Sequence, residues 1–255
     1  MIKFLDLNDQ YTKIKDEVDA AIFSVINDSA FIGGKYVNDF ELAFSDYINS
    51  KFCVGVGNGT DALEIAIEAA GLPVGSEIIV PGNSFIASSE AVTRMGHKVV
   101  FCDVTEDSYI ISTESLKKAI TNKTSAIIAV HLYGHPCDMD PIMDLAKQFD
   151  LIVIEDCAQA HGAKYKERTV GTIGHFGTFS FYPGKNLGGY GDGGAITTQN
   201  ESFAIKARMI ANHGRIAKYD HEFEGRNSRL DAIQASILSA KLKHLHSWTE
   251  RRIEI

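Results

Sequence analysis

Apolar residues recur at helical spacing twice near the start of the chain. Ile14, Val18, Ile22 and Val25 predict a helix over 13–27, and Phe40, Ala43, Phe44 and Tyr47 predict another over 36–49. The period then shortens. Phe52-Cys53-Val54-Gly55-Val56 is an apolar run closed by the turn Gly57-Asn58-Gly59, and a helix is expected from 60 to 70, capped by Thr60 or Asn58. The alternation continues, with strands expected at 78–80, 99–101, 126–130 and 151–154 and helices over 84–94, 116–120 and 143–149. The last of these strands runs into Glu155-Asp156. After Thr178-Phe179-Ser180-Phe181, six glycines fall within 184–194, too many for a helix or a packed strand. Two helices follow, about 201–212 and 229–247.

Strands this short, apolar and β-branched suit a sheet covered on both faces. Their alternation with helices predicts a doubly wound α/β domain, mostly parallel. Ligands in such folds sit at the carboxyl ends of the strands. That selects residues 57–60, 81–85, 131–135 and 156–161 for scrutiny.

Composition narrows the function. Lys and Arg number 25 against 33 Asp and Glu, a net charge of −8, which disfavours nucleic acid or an anionic membrane as partner. Neither a transmembrane run nor the apolar core of a leader is present in the sequence. Cys53, Cys102, Cys137 and Cys157 form no CxxC pair, so reduced thiols and a cytoplasmic setting are expected.

Three segments carry candidate chemistry. Gly57-Asn58-Gly59-Thr60 opens a helix, where backbone amides and the helix dipole receive phosphate, although a tight turn alone also explains it. Thr60 stands where a dinucleotide fingerprint needs its last glycine. The second segment is Glu155-Asp156-Cys157-Ala158-Gln159-Ala160-His161. A buried carboxylate there needs a cation, such as a protonated heterocyclic nitrogen, or it caps the next turn. Metal ligation by Asp156 and His161, or by His131, His135 and Cys137, is a competing reading whose spacing fits no standard zinc pattern. The third is Lys185 in Ser180-Phe181-Tyr182-Pro183-Gly184-Lys185-Asn186, a lysine in a loop with room for a bulky group beside it. Partial burial disfavours its ammonium form, which a Schiff-base lysine requires. Taken together, a phosphate cradle, an acid, a lysine and an aromatic at Phe85 meet the needs of pyridoxal 5'-phosphate.

These segments resemble the DegT/DnrJ/EryC1/StrS group of pyridoxal-phosphate-dependent nucleotide-sugar aminotransferases. The resemblance runs from Phe4-Leu5-Asp6-Leu7 to Trp248-Thr249-Glu250-Arg251-Arg252. Its strongest blocks are 57–63, 130–134, 155–162, 180–194 and Gly225-Arg226-Asn227-Ser228-Arg229-Leu230. Phe181-Tyr182-Pro183-Gly184-Lys185-Asn186-Leu187-Gly188 is most similar to the branch that aminates C3 of a dTDP-linked 3-keto-6-deoxyhexose. The resemblance implies the large domain of aspartate-aminotransferase fold type I. It implies that Lys185 bonds the cofactor aldehyde, Asp156 pairs with the ring nitrogen, Gln159 meets the ring hydroxyl side and Phe85 stacks on the ring. Gly59, Thr60 and Ser180 would bind the phosphate. Asn227 would reach the cofactor phosphate of a neighbouring subunit, which implies a homodimer with a shared site. The implied substrates are a nucleotide-linked keto-deoxysugar and an amino-acid donor, usually L-glutamate; lysine rather than histidine at 185 favours amino transfer over dehydration.

Members of the group continue into a smaller C-terminal domain. The expectation for residues 1–255 is therefore a cofactor-binding large domain with an N-terminal helical segment, the small domain being absent or truncated. Ile237, Leu238, Leu242, Leu245 and Trp248 on the last helix are then expected to lie exposed. Two other readings stand beside amino transfer: a fragment that dimerises or binds cofactor without turnover, and a NAD-dependent sugar-nucleotide enzyme. The latter needs an acid where Pro81-Gly82-Asn83 stands. His97, His175, His244 and His246 are read as surface or core histidines, and Arg229 as either a substrate contact or a partner of Glu222 or Glu224.

Overall fold

The computed structural model describes residues 5–217 and 219–255. Met1 to Phe4, on which the reading of a leader and the head of the resemblance partly rest, lie outside the described residues. The helix expected over 13–27 is in fact the second of two. Helix α1 (Leu7–Lys13) and helix α2 (Lys15–Asn27) are separated at Ile14, whose φ of −124° and ψ of 20° leave the helical region. Helix α3 (Lys35–Ile48) stops at Asn49, which takes the left-handed conformation that ends many helices.

Strand β1 (Phe52–Val56) leads into α4 (Gly59–Ala70), where the Asn58 side chain accepts the Asp61 amide and so caps the helix. Then follow β2 (Glu77–Pro81), α5 (Ile86–Arg94), β3 (Lys98–Cys102), α6 (Thr113–Ala119), β4 (Thr124–Val130), α7 (Met139–Phe149) and β5 (Ile152–Asp156). A small hairpin, β6 (Lys164–Tyr165) and β7 (Arg168–Thr169), precedes β8 (Phe176–Ser180). Strand β9 (Gly194–Thr198), α8 (Glu201–Ala211), a hairpin of β10 (Arg215–Ala217) and β11 (Asp220–His221), and α9 (Ala232–Glu254) complete the order.

Seven strands form one sheet in the order β1-β9-β8-β5-β4-β2-β3. Pairings from β8 through β5, β4 and β2 to β3 are parallel, and β9 alone runs against its two neighbours. The expected doubly wound, mostly parallel α/β domain is therefore present. Strand side chains alternate between faces. Ile78, Val80, Ile128 and Ile154 pack with α4, α5 and α8 on one face. Ile79, Ile127 and Val153 pack with α6 and α7 on the other, where Phe179 and Ala195 also meet α3 and α9.

Two expectations need correction. Strand β9 is not expected from the sequence, because it begins in the glycine-rich stretch and two of its five residues are threonine. All five of its residues are buried, with Thr197 Oγ1 donating to the Gly171 carbonyl and Thr198 Oγ1 to that of His175. The apolar face of α9 is not exposed. Ile237, Leu238, Leu242 and Leu245 are buried, with α2 and α3 packed over the helix, and Trp248 stacks on His244. Among the described residues no helix is long and apolar enough to cross a membrane.

Candidate active site

The carboxyl ends of β1, β2, β4, β5 and β8 open on one cavity of about 460 Å³. Seven residues singled out from the sequence line it: Gly59, Thr60, Phe85, Asp156, Gln159, Ser180 and Lys185. They arrive from four separate segments, which the sheet order brings together. Gly59 and Thr60 are the first residues of α4, so their amides have no acceptor within the helix. A Cβ on Gly59 would lie 2.6 Å from that of Ser180, so only glycine lets the helix start so close to the end of β8.

Asp156 ends β5 on the α4–α5 face of the sheet. It is buried, and it accepts from the Ser88 hydroxyl at 2.9 Å and the Ala158 amide at 3.1 Å. No cation forms an ion pair with it among the described residues. Burial raises its pKa, against the two donors and the positive charge of Lys185. Lys185 is half-buried, and burial lowers the pKa of its ammonium while Asp156 opposes that shift. Gln159 is already oriented, since its Oε1 accepts the Tyr133 amide at 2.6 Å. Its amide –NH2 remains to donate. Phe85 stands at the cavity mouth, 72% exposed.

Glu155, one residue earlier, faces away from Asp156 and is fully buried. Its carboxylate accepts the amides of Gly171, Ile173 and Gly174 at 2.7 to 2.9 Å and faces His131 Nε2 at 3.0 Å. His131 Nδ1 accepts the Cys137 amide at 3.0 Å, which assigns the ring hydrogen to Nε2. This network ties the cavity floor, where His131 lies, to the loop before β8. Sequence reasoning missed it, and missed Ser88, because partners 24 and 68 positions apart leave no local pattern.

In the metal readings, both His131 ring nitrogens, the Cys137 thiol and one His161 nitrogen are engaged in hydrogen bonds, while His161 Nδ1 is buried with no partner among the described residues. Cys137 Sγ donates to the Val130 carbonyl, and His161 Nε2 donates to that of Ser180 at 3.0 Å. His131, Glu155 and Cys157 approach closely enough to share an ion, but the Glu155 oxygens already serve four donors. Arg229 pairs with neither Glu222 nor Glu224 among the described residues.

Asn227 does not line the cavity. It is exposed on the segment before α9, between two clamped neighbours. Arg226 Nη1 reaches Glu64 at 2.6 Å and its Nη2 reaches Glu68, both on α4. Ser228 Oγ donates to Asp61 at 2.6 Å and accepts the Gly57 amide at 3.0 Å.

Comparison with known proteins agrees with this architecture. The chain is 46% identical over 255 residues to the dTDP-3-amino-3,6-dideoxy-alpha-D-galactopyranose transaminase of Aneurinibacillus thermoaerophilus, covering all of this chain and 70% of that protein. It is 44% identical over 251 residues to the dTDP-3-amino-3,4,6-trideoxy-alpha-D-glucose transaminase of Streptomyces venezuelae, covering 98% of this chain and 66% of the relative. The fold superposes on the X-ray structure of S. venezuelae DesV in complex with ketimine intermediate with a TM-score of 0.97, at 44% identity, over 99% of this chain and 68% of that one. The chain thus spans about two thirds of the length of these relatives, and its fold is the aspartate-aminotransferase type I fold. Residues 12–255 match the DegT/DnrJ/EryC1/StrS aminotransferase family, and the chain belongs to that family.

Proposed function

We propose that this chain binds pyridoxal 5'-phosphate and transfers an amino group from an amino acid, L-glutamate, to a nucleotide-linked keto-deoxysugar, a dTDP-3-keto-6-deoxyhexose. The observation that carries the reading is the convergence of Lys185, Asp156 and the start of α4 on one cavity. The donor set fits the cofactor. Among the described residues a buried carboxylate has no cation paired with it, a lysine has its ammonium disfavoured, and two helix-end amides have no acceptor, where a phosphate binds well. The names of the relatives support the sugar-nucleotide substrate.

When bound, the cofactor supplies a conjugated cationic ring that accepts the electrons left behind when a proton leaves an adjacent carbon. The rest falls to the protein. Lys185 Nζ, its ammonium disfavoured by burial, would hold the cofactor at its aldehyde carbon. The same Nζ, which lines the cavity, would be the base that takes the donor's α-proton and the acid that gives it back. Asp156 accepts from the ring nitrogen and holds the proton there, with Ser88 and Ala158 fixing the carboxylate. Gln159, whose oxygen is spent on Tyr133, donates its amide hydrogens to the ring oxygen. Gly59, Thr60 and Ser180 hold the phosphate, and Phe85 covers the ring. Asn227, presented to solvent by Arg226 and Ser228, completes the phosphate site of a second copy, so the working unit is a homodimer in the cytoplasm.

The test is to add pyridoxal phosphate to the purified protein, record the visible spectrum, reduce with borohydride and map the labelled peptide. A new visible band, with label on Lys185 that glutamate diminishes, is expected. Label elsewhere, or none, overturns the proposal.

A further inference from the structure

Outside the cavity, the least expected group in the core is a lysine. Lys241 lies midway along α9 and is 1% exposed. No carboxylate pairs with it among the described residues. Its Nζ donates to the Gly188 carbonyl at 2.5 Å and sits 4.9 Å from the centre of the Tyr190 ring. Burial lowers its pKa to about 8. Gly188 and Tyr190 belong to the loop between β8 and β9 that carries Lys185.

That loop is a closed turn. The Lys185 amide donates to the Tyr182 carbonyl, and the Gly189 amide returns to that of Phe181, both at 2.8 Å. A Cβ at Gly188 would lie 2.3 Å from the Pro183 carbonyl oxygen, so the turn doubles back on its own backbone. Its outer side is fastened to α9 at two points: Lys241 on Gly188, and Gln234 Oε1 on the Tyr190 amide at 2.7 Å. Tyr11 of α1 meets the Tyr190 ring edge-on, and its hydroxyl is taken by Asp19. A methionine would fill the space of Lys241 without the cost of desolvating an ammonium. The charge therefore does something that packing does not.

We propose that Lys241 is a positioning residue for Lys185: its ammonium, held between the Gly188 carbonyl and the Tyr190 ring, fixes the turn on which the reactive lysine is mounted. The proposal rests on the reading of Lys185 as the cofactor lysine. Its test is hydrogen exchange of the cofactor-free chain, followed by pyridoxal phosphate titration, in wild type and Lys241→Met. Exchange at residues 186–190 is expected to quicken on the order of tenfold or more, the scale of one charged hydrogen bond. Borohydride-fixed label on Lys185 at limiting cofactor is expected to fall by a similar factor. The urea midpoint should hold or rise, since a buried charge has been removed. Lys241→Arg, which keeps a cation over the ring, should recover part of both effects.

Unchanged exchange at 186–190 overturns the proposal. So does quickening spread evenly over α9 and the sheet with a lower urea midpoint, which marks a purely structural role. If Lys241→Met does not fold, Tyr190→Leu removes the ring half of the hold at a partly exposed side chain. The same local quickening is then expected, and its absence overturns the proposal equally. Wild-type protein that takes no label at Lys185 sinks the cofactor reading instead, while the exchange data still decide whether Lys241 fastens the turn.

Discussion

A buried carboxylate is held by few bonds, and each one matters. Asp156 has two donors, so Ser88→Ala leaves it only the Ala158 amide. Pyridoxal phosphate affinity is expected to drop about tenfold, the worth of a hydrogen bond to a charged group. Titration of the visible band checks this, and undiminished affinity would remove Ser88 from the site. His161 gives a pH prediction. Burial between Phe179 and Phe181 lowers its pKa to about 3, so the folded chain keeps it neutral. The unfolded chain protonates it near 6.5. Stability is therefore lost as pH falls from about 6.5 towards 3, by up to about 1.4 kcal/mol per pH unit. Urea midpoints across that range should fall less steeply in His161→Gln, by close to one proton; parallel slopes would refute it. At this scale the sequence pointed to Lys185 and Asp156, which the fold brings to one cavity, and gave no sign of the side chains bonded around that cavity. Ser88 is one of two adjacent serines in an ordinary helix, and Glu155 becomes an anchor only once residues 171–174 fold back over it.

Elements were legible where periodicity and burial agree. Strands β2, β4 and β5 are nearly all buried, and unbroken apolar runs mark them. Strand β9 is as buried, but its threonines satisfy their hydroxyls internally, so its polarity reads as loop. The break at Ile14 hid because Ile14 stays in step with Val18 and both are buried against α9. Helix α9 shows the reverse error, an apolar face judged exposed whose cover comes from far earlier in the chain. Leu245 is completely buried there, so Leu245→Ala should cost about 2–5 kcal/mol, the range for an unfilled core cavity. Chemical denaturation measures this. A cost below about 1 kcal/mol would mean that α2 and α3 do not cover α9 in solution.

For the whole molecule, the proposed sharing of sites between copies makes a prediction that no single chain can show. Lys185→Ala and Asn227→Ala chains are each expected to be nearly inactive. Mixed and reassembled in equal amounts, they should regain about a quarter of wild-type activity, because about half the dimers are mixed and each of those has one intact site. No recovery in demonstrably mixed dimers would place Asn227 outside the shared site. The position of β9 bears on how the chain comes to be folded at all. Among the described residues β9 is the one strand paired with β1, so Val54 waits for Ile196 before its backbone is paired. During synthesis the block β2 to β5 can close early, while β1 emerges long before its partner and carries an open edge through much of translation. Pulse-labelling during refolding should find amides of β4 and β5 protected well before those of β1. That interval is when a nascent chain needs shielding from its neighbours, so aggregation during expression should follow the rate at which β9 arrives more closely than the stability of the finished fold.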